Sequence, residues 1–225
     1  MSAVIRGEGL AWSRPGGQVV LEDASLQIQR GELVCISGPS GTGKSVLGSL
    51  LLRLRPISTG RVWWGEVEVT SRNPASIQPL RAQYQGLLQQ TAAVLPPFLT
   101  VGDALRETLS AVAGLRGREA ADRLAEVTRL LGMGDLLHRG PRYLSGGEQR
   151  KAGVARLLLT APSFAFVDEP DAGLDPVSQH DVMGELRRAV DRTGMGMLVV
   201  THNAMLSERY ADRRLLLSEG ALRAA

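Results

Sequence analysis

Cysteine is almost missing from this 225-residue chain, with Cys35 the single example. An internal disulfide and a cysteine-rich metal site are thereby excluded, and a reducing compartment is the simplest setting. Aromatic residues make up only 4%, too few for the stacking platforms that hold single-stranded nucleic acid, so no nucleic-acid partner is expected. No uncharged apolar run reaches the roughly 18 residues a membrane helix requires, so any membrane role is expected to run through a partner. The opening Met1–Arg6 has no basic stretch followed by an apolar core and is not expected to act as a signal peptide. Lysine is scarce as well: Lys44 and Lys151 are the only two among 26 basic residues. The net charge of +3 is spread along the chain and selects no class of partner.

What remains is ordinary globular usage, 44% hydrophobic and 22% charged, in a chain long enough to bury a core without staples. Short strands are expected at Val19–Leu21 and Ala24–Ile28, a buried strand at Leu33–Ser37, and a strand pattern over Val62–Val69. Helical periodicity covers Ser45–Arg55, Val101–Ala113, Arg118–Leu131, Glu148–Thr160 and Val177–Arg192, and buried strands are expected at Phe164–Val167 and Met197–Val200. The order predicts an α/β core carrying an inserted helical segment.

Gly38-Pro39-Ser40-Gly41-Thr42-Gly43-Lys44-Ser45 satisfies every fixed position of G-x-x-x-x-G-K-[ST], with a strand before it and a helix after. Glycines let backbone N–H groups close around a phosphate, and the helix start adds partial positive charge. Lys44 would reach the β- and γ-phosphates, and the Ser45 hydroxyl would ligate Mg²⁺. A nucleoside triphosphate is the expected ligand. Asp168 and Glu169 end the apolar strand that begins at Phe164. Asp168 is expected near the metal, and Glu169 where a water attacks the γ-phosphate. Leu144-Ser145-Gly146-Gly147-Glu148 offers a second anion nest at a helix start. By itself such a segment is usually just an N-cap. Beside a complete P-loop it implies a second ligand, or a site finished by another copy.

With these motifs in this order, and with His202 following Val199-Val200-Thr201, the whole chain resembles the ATP-binding-cassette (ABC) ATPases. The resemblance implies a P-loop NTPase fold of the ABC ATPase type, with a RecA-like core sheet, an N-terminal antiparallel β part and an inserted α-helical subdomain. One domain would span 1–225, with its core at 1–88 and 161–225 and its helical subdomain at about 95–160. It also implies ATP and Mg²⁺ as cofactors and roles for further residues. Gln89 would be the glutamine that contacts Mg²⁺ and the attacking water, with adjacent Gln90 as the alternative. His202 would bond the γ-phosphate and orient the water held by Glu169. Asp175, in Asp171-Ala172-Gly173-Leu174-Asp175, would lie at a dimer interface, although Asp171 and Gly173 depart from the family's common pattern. Trp12 would stack on adenine.

Partners implied are a second copy or a paralogous ATPase in a head-to-tail dimer, where Ser145, Gly146 and Gly147 face the other copy's P-loop. Integral membrane permease subunits would follow, with room for a substrate-binding protein, at the cytoplasmic face of the inner membrane. The spacing from Gln89 to Pro97 resembles importers of peptides, nickel or metal chelates. An exporter or lipoprotein-release ATPase, and an ATPase of a soluble complex, stay open. His138 and His180 are expected at the surface, Trp63-Trp64 in packing or a surface patch, and Cys35 in an inert core.

Overall fold

The computed structural model describes residues 3–88 and 95–225. Two strands, β1 (Ala3–Ser13) and β2 (Val19–Gln29), run antiparallel around a turn where Gly16 and Gly17 both take positive φ. The expected pair of short strands over 19–28 is therefore one strand. Glu22 and Asp23 are both exposed in succession and shift the inward phase, as a bulge does, so alternation alone divides the strand in two. Beside β1 lie β4 (Thr59–Trp64) and β5 (Val67–Glu68), giving a sheet of order β2-β1-β4-β5. The single run expected over 62–69 is broken by a turn with Gly65 at φ +56°.

The second sheet has order β10-β9-β3-β8-β7-β6. Its strands are β3 (Leu33–Ser37), β6 (Tyr84–Leu87), β7 (Phe164–Asp168), β8 (Gly196–Val200), β9 (Arg213–Ser218) and β10 (Ala221–Ala224). All its neighbours pair in parallel except β10 with β9. Every residue of β7 and β8 is buried, which explains their unbroken apolar text: parallel strands are covered on both faces.

On one face sits α1 (Lys44–Leu51), and a Cβ built on its Gly48 would lie 2.2 Å from the Phe166 ring. Only a missing side chain lets helix and strand approach this closely. The helix stops short of Arg55 because Arg53 turns left-handed, φ +53°. Trp64, 2% exposed, stacks on Tyr84 with ring centroids 4.5 Å apart and donates Nε1–H to Leu51 O at 2.8 Å. Burial pushes the Tyr84 hydroxyl up to about 12. Trp63 instead carries the Arg6 guanidinium 4.0 Å above its ring.

The short α2 (Pro74–Ile77) precedes β6, and between β6 and β7 the chain forms α3 (Val101–Ala111), α4 (Gly117–Leu130) and α5 (Gly146–Leu159). Their apolar faces, among them Leu105, Leu124 and Leu158, join one buried cluster with Val167 and Leu186. Two more helices, α6 (Pro176–Thr193) and α7 (Ala204–Tyr210), follow β7 and β8. Among the described residues no helix is long and apolar enough to cross a membrane. The decisive feature for function is that β3, β8 and β7 are adjacent and parallel. Their following loops must therefore emerge together at one edge.

Candidate active site

The loop after β3 needs its glycines. Gly38 adopts φ +146°, and a Cβ on it would stand 2.2 Å from Leu217 O; Gly43 caps α1 at φ +105° with Val20 Cγ1 2.7 Å from its missing Cβ. Between them run Pro39, Ser40, Gly41 and Thr42, whose hydroxyl donates to Pro39 O at 2.9 Å. Lys44, 6% exposed, donates from Nζ to Gly38 O and Pro39 O, both at 2.8 Å. Burial lowers the ammonium's pKa, while the carboxylates of Glu169 and Asp168 pull it back up. One fixed cation thus stands at the mouth of a loop of backbone N–H groups, in front of a helix start.

Asp168 closes β7 and is 4% exposed, with Oδ1 buried and without a hydrogen-bond partner among the described residues. Desolvation raises its carboxyl above the ordinary range; the Ser45 hydroxyl, Lys44 and His202 pull it down, against Glu169. Glu169 leaves the strand left-handed, φ +50°, and donates its N–H to Val200 O at 3.0 Å. That conformation costs a residue with a side chain roughly 1–2 kcal/mol and leaves the carboxylate in reach of the segment that follows β8. There His202 Nε2–H donates to Glu169 Oε1 at 3.1 Å. The neighbouring Thr201 hydroxyl donates to Asp171 Oδ2 at 2.7 Å, so the loops after β7 and β8 are locked together.

Ser145 begins α5 in a reciprocal cap: its hydroxyl accepts Glu148 N–H at 3.3 Å, and Glu148 Oε2 accepts Ser145 N–H at 2.7 Å. With Gly147, Arg139 and Lys151 it lines a cavity of about 360 Å³. Among the described residues, no hydrogen bond or ion pair joins Ser145, Gly146 or Gly147 to the loop from Gly38 to Ser45.

Residues 21–172 match a family model described as ABC transporter. The chain belongs to the ABC transporter family. It is 34% identical to a probable amino-acid ABC transporter ATP-binding protein of Sinorhizobium fredii, over 92% of this chain and 84% of that one. It is also 34% identical to a lipoprotein-releasing system ATP-binding protein of Cytophaga hutchinsonii, over 90% and 91%. To a nickel import ATP-binding protein of Shigella boydii the identity is 31%, over 91% and 77%. A bacterial ABC transporter cassette solved as a dimer superposes with TM-score 0.87 at 25% identity, covering 97% of this chain and 96% of that one. The protein is the ATP-binding, ATP-hydrolysing subunit type of ABC transporters, on a P-loop NTPase fold.

In this ABC ATPase, Asp175 is the N-cap of α6. Its carboxylate accepts Val177 N–H at 3.0 Å and Ser178 N–H at 3.1 Å, and the hydrogen bond from the Ser178 hydroxyl leads the causes that lower its pKa. Trp12 pairs across the register with Leu21, which packs at Gly43, and holds the Arg55 guanidinium 5.1 Å from its ring. Gln89 and Gln90 lie outside the described residues. His138 is exposed as expected, whereas His180 is half-buried with Nδ1 3.2 Å from the Tyr210 hydroxyl. Cys35 is buried and pushed up to about 12, chiefly by desolvation.

Sequence reasoning missed the left-handed backbone of Glu169, the Thr201–Asp171 lock, and Gln179, which donates to Asp171 O at 3.2 Å and accepts from Asn203 at 3.0 Å. Asp171 standing where the family's pattern has another residue was the available signal. The partners are distant in sequence and carry none.

Proposed function

We propose that the chain hydrolyses ATP in two composite sites of a head-to-tail dimer and drives transport through separate membrane permease subunits. The observation that carries this is the convergence of Lys44, Asp168, Glu169 and His202 at the carboxyl ends of adjacent parallel strands. Among the described residues, Ser145–Gly147, a second nest, has no hydrogen bond to the Gly38–Ser45 loop within one copy. The Gly38–Ser45 loop would cradle the triphosphate, with Lys44 on the β- and γ-phosphates. Glu169 would take a proton from the attacking water and hold it in line, and His202 would orient that carboxylate and bond the γ-phosphate. Gln89 would contact the same water, Ser145, Gly146 and Gly147 would bond the partner copy's nucleotide, Asp175 would lie at the interface, and Trp12 would face adenine.

The donor set fits Mg²⁺: Asp168 brings a buried oxygen without a donor among the described residues, beside the Ser45 hydroxyl, and hard oxygens suit this ion. Bound there with Gln89, it would neutralise phosphate charge. We propose a single ATPase domain, core 1–88 and 161–225 with a helical subdomain at about 95–160, a reading that the helical run α3–α5 supports.

For the permease, Phe98 is 86% exposed beside a groove of about 710 Å³ lined by Leu95, Pro97, Thr108, Arg142 and Arg156. An exposed aromatic at a groove suits a protein partner, which would hold the ATPase at the cytoplasmic face of the membrane. The Gln89–Pro97 spacing and the nickel-import relative favour import of peptides, nickel or metal chelates, with a substrate-binding protein upstream. The lipoprotein-releasing relative, at 34% identity, favours a second reading, release or export without a binding protein. Purifying the native complex and identifying its subunits decides. Permease with a binding protein supports import, permease alone supports release, and no membrane subunit sinks the transport assignment.

A further inference from the structure

We propose that Arg150 is a positioning residue for Glu169, acting through the loop that follows it; this rests on the site reading above. Glu169 occupies a left-handed conformation, and a strained residue keeps its geometry only when its surroundings over-determine it. Among the described residues, three elements contribute to those surroundings. From β8, Val200 O accepts Glu169 N–H at 3.0 Å, and Thr201 just beyond it bonds Asp171 at 2.7 Å. From α6, Gln179 donates to Asp171 O at 3.2 Å. From α5, Arg150 Nη1 donates to Pro170 O at 3.3 Å and also to Ala172 O.

The two carbonyls bonded by Arg150 flank Asp171, whose side chain is the loop's lock to the His202 segment. Removing the guanidinium leaves both carbonyls without this donor and frees the peptide planes on either side of that lock. Pro170 fixes its own φ, so the freedom released falls on Pro170 ψ and on Glu169, which is already strained. Displacement there moves the carboxylate that His202 holds at 3.1 Å. Arg150 touches none of the P-loop residues through a hydrogen bond among the described residues, so nucleotide affinity has no reason to follow. Arg150 thereby ties the helix that starts at Ser145 to the loop that starts at Glu169.

The test compares wild type, Arg150→Ala, Arg150→Lys and Glu169→Gln in the assembled complex, reading kcat, KM and ATP affinity together with the melting temperature. The Ala variant should lose roughly 10- to 100-fold in kcat, the range a misplacement of about 1 Å produces, at unchanged ATP affinity. The Lys variant should recover part of the rate, since an ammonium can still donate to a carbonyl, and added guanidinium ion should raise the Ala variant's rate and not the wild type's. Wild-type kcat in the Ala variant, or a loss that merely tracks unfolded protein or weaker ATP binding, overturns the proposal. Should the Ala variant not fold, Arg150→Gln, too short to reach the two carbonyls, replaces it under the same criteria. If Glu169→Gln hydrolyses ATP at the wild-type rate, the site reading fails and the proposal with it. If Glu169→Gln is inactive while Arg150→Ala is not, only the role of Arg150 falls.

Discussion

His202 Nε2 and Glu169 Oε1 are 3.1 Å apart, although 33 residues separate them in the chain. The contact exists because β7 and β8 are parallel neighbours, so the residues just past their ends face each other. A carboxylate held by an imidazole is oriented before any substrate arrives. Glu169→Gln should lower kcat by roughly 10²–10⁴-fold, the usual worth of a general base, and His202→Ala by roughly 10²-fold, with ATP affinity retained in both. Single-turnover hydrolysis alongside equilibrium nucleotide binding checks this; a Gln variant at full rate removes Glu169 from the chemistry. With the γ-phosphate preserved, the same Gln variant should dimerise on ATP addition, seen as a doubled mass by light scattering.

Lys44 is the buried cation of the loop, already held by two carbonyls at 2.8 Å. Lys44→Ala should weaken ATP binding by roughly 10- to 100-fold, because a hydrogen bond to a charged group contributes about 1.5–3 kcal/mol. Titration with a fluorescent ATP analogue measures it. Unchanged affinity together with unchanged hydrolysis would place the triphosphate elsewhere.

Ser145 is an N-cap as well as a candidate ligand contact, and the two roles separate experimentally. Ser145→Ala loses the cap and should cost about 1 kcal/mol of stability. Ser145→Asp keeps a capping oxygen but places negative charge towards the partner's γ-phosphate, and Ser145→Arg places bulk there. Both should bind ATP normally and fail to hydrolyse it. If the Asp and Arg variants turn over ATP at the wild-type rate, the segment serves α5 alone.

Asp168 yields a pH prediction. Its folded pKa is raised, chiefly by burial, so the folded state binds this proton more tightly than the unfolded chain does. The destabilising contribution is absent below the ordinary carboxylate value and fully present above the raised one. Asp168→Asn, measured without nucleotide or Mg²⁺, should melt higher than wild type at pH 8. That difference should shrink as the pH falls through the raised pKa, even though the variant loses hydrolysis. A variant that melts lower than wild type at pH 8 refutes the argument and points to Lys44 as the stronger partner.

Local chemistry was legible in the sequence wherever it is contiguous. Gly38–Ser45 is one uninterrupted segment whose glycines, lysine and hydroxyl each have a backbone reason, and Phe164–Glu169 reads as a buried strand ending in carboxylates. The helices α3 to α6 were found within a few residues of their ends, because amphipathic periodicity repeats over several turns. Strands were less legible. The bulge near Glu22 and Asp23 broke the alternation of β2, and β9 opens with two exposed arginines, Arg213 and Arg214.

The sequence by itself determined the expectation that Gly38–Ser45 cradles a triphosphate, since the glycines, Lys44 and Ser45 would act through backbone conformations and side chains a few residues apart. Only the tertiary structure decided which carboxylate meets His202, why Glu169 is turned left-handed, and that Arg150 reaches the loop beside it. The physical reason is strand order. With β8 lying between β3 and β7, residues separated by many tens of positions share one edge, and no periodicity or spacing along the chain records that neighbourhood. That Ser145–Gly147 makes no hydrogen bond to the P-loop among the described residues of one copy is likewise a property of packing in space, not of the motif's letters.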